Sequence, residues 1–254
     1  MEEEKIKGPN TKLLECEALV IRTVGQDPTT DNLLFEVFIS NNEGKLLSIA
    51  PIFRAIETTP PVGTFLDRLT SPEHQPFNLN VLYKDKENQK LDETPFMEID
   101  KTKDTSKSIY KVRAKEKTAE ENVGILEFQY KSSRTQFKVI GMDSLYLIEE
   151  NKPRRFSLKS LLCCGKGTRT INDEVTIFET DKLSGVQISD LEKRINAEQY
   201  VKEPVGKIVK LQKRDAMSKR RDILVTFPKN AYNEERSLLL ALTFLLAARF
   251  FQEI

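Results

Sequence analysis

The residues best placed to do chemistry are a pair of adjacent thiols and two clusters of cations. Cys163 and Cys164 lie in Ser160-Leu-Leu-Cys-Cys-Gly-Lys-Gly, downstream of Lys152, Arg154, Arg155 and Lys159. Thiols beside apolar residues and cations suit S-acylation coupled to attraction by anionic lipid. The plainer alternative is two small hydrophobes packed in a strand. The second cluster, Lys213, Arg214, Lys219, Arg220 and Arg221, reads as a loop between strands. It fits nuclear targeting, or a merely solvated charged loop. His74, between Pro72 and Pro76, is the chain's only histidine, and a Ser-His-Asp or Cys-His mechanism would have to use it. No glycine-rich phosphate loop or paired-carboxylate motif accompanies it. The third cysteine, Cys16, is distant from the pair, so the spacing is neither a disulfide framework nor a zinc site. The expectation is a non-enzymatic protein with no cofactor.

Composition narrows the class of partner. Charged residues make up 31% of the 254 residues, yet the net charge is only +1. A uniformly basic surface for nucleic acid is therefore not implied, although local basic patches remain. The acidic, polar start Met1-Glu-Glu-Glu-Lys is unlike a signal peptide. With so few cysteines, a reducing, cytosol-facing setting is expected.

The elements that position these residues read mainly as strands. Residues 1–11 form a charged tail, and 12–254 a single domain. Leu13–Val24 is rich in aliphatic and β-branched residues. Leu33–Ser40 is followed by Asn41-Asn-Glu-Gly and then by Lys45-Leu-Leu-Ser-Ile-Ala, which predicts a hairpin. The same unit recurs at Phe77–Tyr83 with a return at Lys90-Leu91, at Gln136–Ile140 with Leu145–Ile148, and at Glu174–Glu179 with Val186-Gln-Ile. Ile109–Val112 is a short strand between polar loops, and Ile188–Tyr200 suits a short helix or turn. Period-two alternation over many hairpins argues for a sandwich or barrel. Val123-Gly and Val205-Gly each open a strand, basic turn, strand sequence. A duplicated half-barrel and chance account for that echo equally well.

Ser237–Phe251 is different: Leu and Ala dominate it, which favours helix. Asn233 is the expected N-cap, with Glu234 and Glu235 in the first turn, where negative charge suits the helix dipole. The helix, about 234–252, is apolar on every face, so it is either buried in a core or crosses a bilayer. Its apolar run 237–251, at about 1.5 Å per residue, reaches roughly 22 Å, short of a hydrocarbon layer of about 30 Å. Arg249 also interrupts it. Burial inside a closed sheet is the expected solution, since such a sheet covers every face and leaves no open edge.

The ordered set Phe35-Glu-Val-Phe-Ile-Ser-Asn-Asn-Glu-Gly-Lys, Pro76-Phe-Asn-Leu-Asn-Val-Leu, Val123-Gly-Ile-Leu, Phe137-Lys-Val-Ile, Val205-Gly-Lys-Ile-Val-Lys and Phe227-Pro before the apolar helix resembles the phospholipid scramblase branch of the tubby C-terminal-like superfamily. The resemblance runs from about Leu13 to the end. It implies a mainly β fold: a closed antiparallel barrel of about twelve strands enclosing the C-terminal helix. It also implies that Lys213, Arg214, Lys219, Arg220 and Arg221 meet phosphoinositide headgroups. Two features depart from it. Only Cys163-Cys164 stands where animal scramblases carry a palmitoylated cysteine cluster. The stretch Pro228–Glu235 offers carboxylates only at Glu234 and Glu235, whereas calcium takes six to eight oxygens.

The expected function is that of a scramblase-like protein binding anionic phospholipid or phosphoinositide headgroups at the cytosolic leaflet. Its expected location is cytoplasmic, peripheral or lipid-anchored at membranes, with the nucleus also open. A protein-interaction or regulatory scaffold is the alternative, and a C-terminal membrane anchor through 237–251 a third reading.

Overall fold

The computed structural model describes residues 9–26, 32–59, 77–83, 95–101, 108–116, 119–131, 134–141, 144–150, 174–179, 203–211 and 221–251. A short helix α1 (Pro9–Glu15) leads into twelve strands. These are β1 (Ala18–Gln26), β2 (Leu33–Ser40), β3 (Phe53–Glu57), β4 (Asn78–Tyr83), β5 (Met97–Lys101), β6 (Ser108–Glu116), β7 (Ala119–Lys131), β8 (Arg134–Ile140), β9 (Leu145–Glu150), β10 (Glu174–Glu179), β11 (Glu203–Lys210) and β12 (Arg221–Thr226). Each strand pairs antiparallel with its neighbours in sequence, and β1 closes on β12 from Ala18↔Thr226 to Thr23↔Arg221. The sheet is a closed barrel.

Helix α2 (Asn233–Leu245), extended by a wide turn over Leu246–Phe250, fills that barrel. Leu238 to Leu246 are all fully buried. They share one cluster with the inward residues of the wall, such as Phe35 and Val37, Leu79 and Val81, Tyr110 and Val112, and Ile223 and Val225. Phe244 meets Phe35 edge-on at 5.6 Å, and Phe250 meets Phe128 and Phe137 at 5.2 and 5.1 Å. Each such buried side chain contributes about 1.5–3 kcal/mol. The helix reads as apolar all round because the wall surrounds it. Among the described residues no helix is long and apolar enough to cross a bilayer. Thr243, the hydroxyl in mid-helix, donates to the Leu239 carbonyl at 2.7 Å, which settles its buried polar group locally.

The Val-Gly echo has a structural basis. The ladder slips where Val123 is the extra residue, between Val112↔Gly124 and Arg113↔Asn122. It slips again at Val205, between Ile177↔Gly206 and Phe178↔Pro204. Val24, before Gly25, is a third such bulge. Bulges bend the strand and so help close the ring. At Gly124 a Cβ would stand 2.2 Å from the Ile140 carbonyl oxygen and 3.0 Å from Leu238 Cδ1. Glycine is what lets β7, β8 and α2 approach there. The echo joins β7–β8 to β11–β12, four strands apart, so it does not mark the two halves of a twelve-stranded ring.

Outward positions carry charge. Asp222, Arg22, Glu36 and Arg54 form one cross-strand row of alternating sign over β12, β1, β2 and β3. Arg22 bonds both carboxylate oxygens of Asp222 at 2.9 and 2.8 Å. Arg113 pairs with Glu98 at 3.3 Å and also with Asp100. Such rows are the reverse of the apolar belt of a transmembrane barrel.

Three sequence expectations shift. Leu13–Glu15 is helical, not strand, because its apolar side packs under the barrel: Leu13 is fully buried. The return strand expected at Lys45–Ala50 makes only the bridge Ser40↔Leu46, and β3 begins at Phe53. The helix starts one residue after its N-cap, which is Tyr232 rather than Asn233. The returns at Lys90-Leu91 and Val186-Gln-Ile, the turn at Ile188–Tyr200 and His74 lie outside the described residues.

Candidate functional site

Odd-numbered strands all run one way, so their C-terminal ends share one mouth of the barrel. The segment with Lys152, Arg154, Arg155, Lys159, Cys163 and Cys164 leaves β9 after Glu150 and rejoins the sheet at Glu174. The segment with Lys213, Arg214, Lys219 and Arg220 leaves after β11 and rejoins at Arg221, the first residue of β12. Both are therefore rooted at the same mouth, on either side of β10. The residues themselves lie outside the described residues, apart from the backbone of Arg221, which stands opposite Thr23.

The same mouth holds a buried ion pair. Arg249, near the end of α2, bonds Glu57 at the end of β3. Thr59 Oγ1 donates to Glu57 Oε1 at 2.8 Å, and the Leu33 amide donates to Oε2 at 3.3 Å. The Arg249 guanidinium lies 5.0 Å over the Phe77 ring. A charge inside an apolar helix must find a buried partner. That is the signal by which Glu57 could have been sought.

At the opposite mouth Arg236 ties α2 to α1. Its Nε donates to the Ala231 carbonyl at 2.9 Å, and its Nη1 donates to the carbonyls of Leu13, at 3.1 Å, and Cys16. Its guanidinium lies 5.4 Å from the Phe227 ring. Desolvation pulls the Arg236 pKa below its ordinary value. Burial pushes the Cys16 thiol up to about 11, against a smaller lowering by Arg236, and its Sγ donates to the Lys12 carbonyl at 3.0 Å. Burial also raises the Tyr146 hydroxyl, helped by the charge and hydrogen bond of Glu235. Glu235 also accepts the Tyr232 amide at 2.8 Å, so this carboxylate caps the helix. Among the described residues no group of three or more His, Cys, Asp or Glu could hold a metal ion. Cys16 is a structural thiol here: thiolate chemistry needs the opposite shift.

Beside this mouth a groove of about 840 Å³ follows the outer face of β10 and β11. Thr176, Lys207 and Thr226 stand in register along it, with Glu17 and Lys229 at its lower end. Thr226 Oγ1 accepts the Lys207 amide at 2.9 Å, which fixes the floor. Glu17, Glu174, Lys207, Lys229 and Arg236 give it a charged lining of both signs, suited to polar contacts.

The segment Asn41–Ile52 forms a flap over the seam where β1 meets β12. Leu46 packs on the outward Ala18, Val20 and Leu224, and Gly44 lies against Leu211. The Asn41 side-chain oxygen accepts the amides of Glu43 and Lys45 at 3.1 and 2.8 Å. Gly44 has φ 82°, a left-handed conformation that glycine adopts without strain. Sequence reading missed the flap, and it missed Arg236, Tyr146 and Glu57. None stands in a motif; only the fold brings them to the mouths and seam.

No family model, curated protein or solved structure matches the chain.

Proposed function

We propose that this barrel is a non-enzymatic, peripheral membrane module of the scramblase and tubby-like kind, binding anionic phospholipid or phosphoinositide headgroups. The observation that carries it is topological. The two basic segments, one of them with the Cys163-Cys164 pair, root at one mouth on either side of β10. Cations in segments that leave and rejoin a barrel at one mouth can add at an anionic leaflet, at about 1 kcal/mol each. Acylation of the thiols would supply the second signal that stable anchoring requires. Binding rather than lipid transport is favoured because α2 fills the barrel interior with apolar side chains among the described residues.

Flotation with phosphatidylcholine vesicles, with and without phosphoinositide, tests the reading. The chain should float with the anionic vesicles alone. Changing Lys213, Arg214, Lys219 and Arg220 to Gln should weaken binding at least tenfold, given about 1 kcal/mol for each cation. Equal failure to float on both vesicle types would leave the scaffold reading in its place.

A further inference from the structure

We infer that the groove on β10 and β11 binds a small soluble zwitterion, with Arg236 receiving its carboxylate and Glu17 its ammonium group. The inference is independent of the membrane reading above. The Arg236 end of the groove lies by the mouth opposite the one at which the two basic segments root. Its occupant is a free molecule with one charge of each sign, as an amino acid or a short peptide with open termini carries.

The groove exists because β11 and β12 part company. β11 faces β12 only from Lys207 to Lys210, and its first residues, Glu203–Gly206, reach beyond the end of β12. Thr226 closes that ladder with its side chain: Oγ1 accepts the Lys207 amide at 2.9 Å and donates to the Lys207 carbonyl at 3.3 Å. The Phe227 amide then turns to the Glu17 carbonyl, at 3.0 Å, and not to β11. An added peptide strand is a poor fit for the gap, since Pro204 lacks an N–H and Val205 is a bulge. A compact molecule fits it better: about 840 Å³ falls within the roughly 300–1,000 Å³ of small-molecule sites.

Arg236 supplies the built part of the site. It is only 6% exposed, yet it lines the groove. Its Nε and Nη1 are taken up by the carbonyls of Ala231, Leu13 and Cys16. Nη2 has no acceptor among the described residues and is not sealed from the surface. A guanidinium held on two nitrogens by backbone cannot swing away, so the third is a preset donor for an acid group. Desolvation disfavours the charged form of Arg236, and a carboxylate against Nη2 would offset that cost.

Charge of both signs selects the occupant. Glu17 shares the groove with Arg236, and its charge acts on the guanidinium. Its carboxylate takes one long bond from Asn42 Nδ2, at 3.5 Å, and keeps the rest of its acceptor capacity. Lys207 and Lys229 add positive charge, and Glu174 adds negative. A plain anion would meet two carboxylates here, and a plain cation would meet three cations. A molecule with one charge of each sign finds a partner for both. Val205 and Phe227 offer apolar surface to the part between them.

Calorimetric titration of the full chain with trialanine tests this, beside the same peptide N-acetylated or C-amidated, and beside succinate and inorganic phosphate, which carry negative charge alone. Trialanine should bind, and blocking either terminus should weaken it at least tenfold, the loss of about one charge-assisted hydrogen bond. The Arg236 Nε–H resonance should move as the peptide is added. Arg236 also holds the fold, so the variant of choice is the exposed Glu17→Gln. It should lower trialanine affinity about tenfold and leave the affinity of the N-acetylated peptide unchanged. Flotation on anionic vesicles should be the same with and without trialanine. No binding of trialanine, equal binding of succinate or phosphate, or indifference to the blocked termini would overturn the zwitterion site and leave the membrane reading standing. Undiminished trialanine affinity in Glu17→Gln would overturn the role of Glu17, and with it the proposed site.

Discussion

The two ends of the buried helix are held by the same residue type in different ways. Arg249 meets a side chain, Glu57, while Arg236 meets the backbone carbonyls of Leu13, Cys16 and Ala231. A side-chain partner can be removed together with its arginine. Backbone carbonyls cannot. The first end is thus a replaceable device, and the second is built into the path of the chain from α1 to β1.

The largest effect should come from breaking the replaceable end on one side only. Glu57→Leu leaves the Arg249 charge buried without its carboxylate and should cost roughly 3–5 kcal/mol, read from urea unfolding. Adding Arg249→Met should return stability to within about 1 kcal/mol of wild type. If the double variant stays as weak as the single one, the pair is not independent of its surroundings.

Arg236→Met should cost about 3 kcal/mol, since the carbonyls of Leu13, Cys16 and Ala231 lose the guanidinium that they share, and no second substitution should restore it. Amide exchange at Leu13–Cys16 should rise in this variant and not in the Glu57 variants.

The smallest effect separates the two ends by pH. The folded Cys16 thiol ionises near 11, against an ordinary value of 9.0. Between these values the unfolded chain has lost a proton that the folded chain keeps. Stability is therefore intact below pH 9 and falls as pH rises toward 11. Tyr146, also raised, extends the loss to higher pH. Unfolding measured across this range should show the decline, and Cys16→Ala should flatten its first part.

Much of the ring was legible. β2 ran as its alternation indicated, and the helix gave itself away because Leu238 to Phe251 leaves no polar face for water. The position of β3 was not legible: Lys45–Ala50 carries a strand-like pattern, but Leu46 is needed on the outside of the seam to cover Ala18, Val20 and Leu224. Leu13–Glu15 could serve helix or strand, and packing under the barrel, with Leu13 buried and its carbonyl on Arg236, goes with the helix. Of the candidate site, the sequence pointed to the cations and thiols, whereas their common root at one mouth follows from strand direction, which no local pattern encodes.

The ring closes between its first strand and its last, and the segment that fills it follows the last strand. During synthesis, β1 waits for nearly the whole chain before its partner β12 exists, and the inward faces of the earlier strands wait longer for their filling. Such distant pairing makes for slow assembly. A nascent chain of this protein is consequently a dependent one, shielded by others until the helix that fills the ring has left the ribosome.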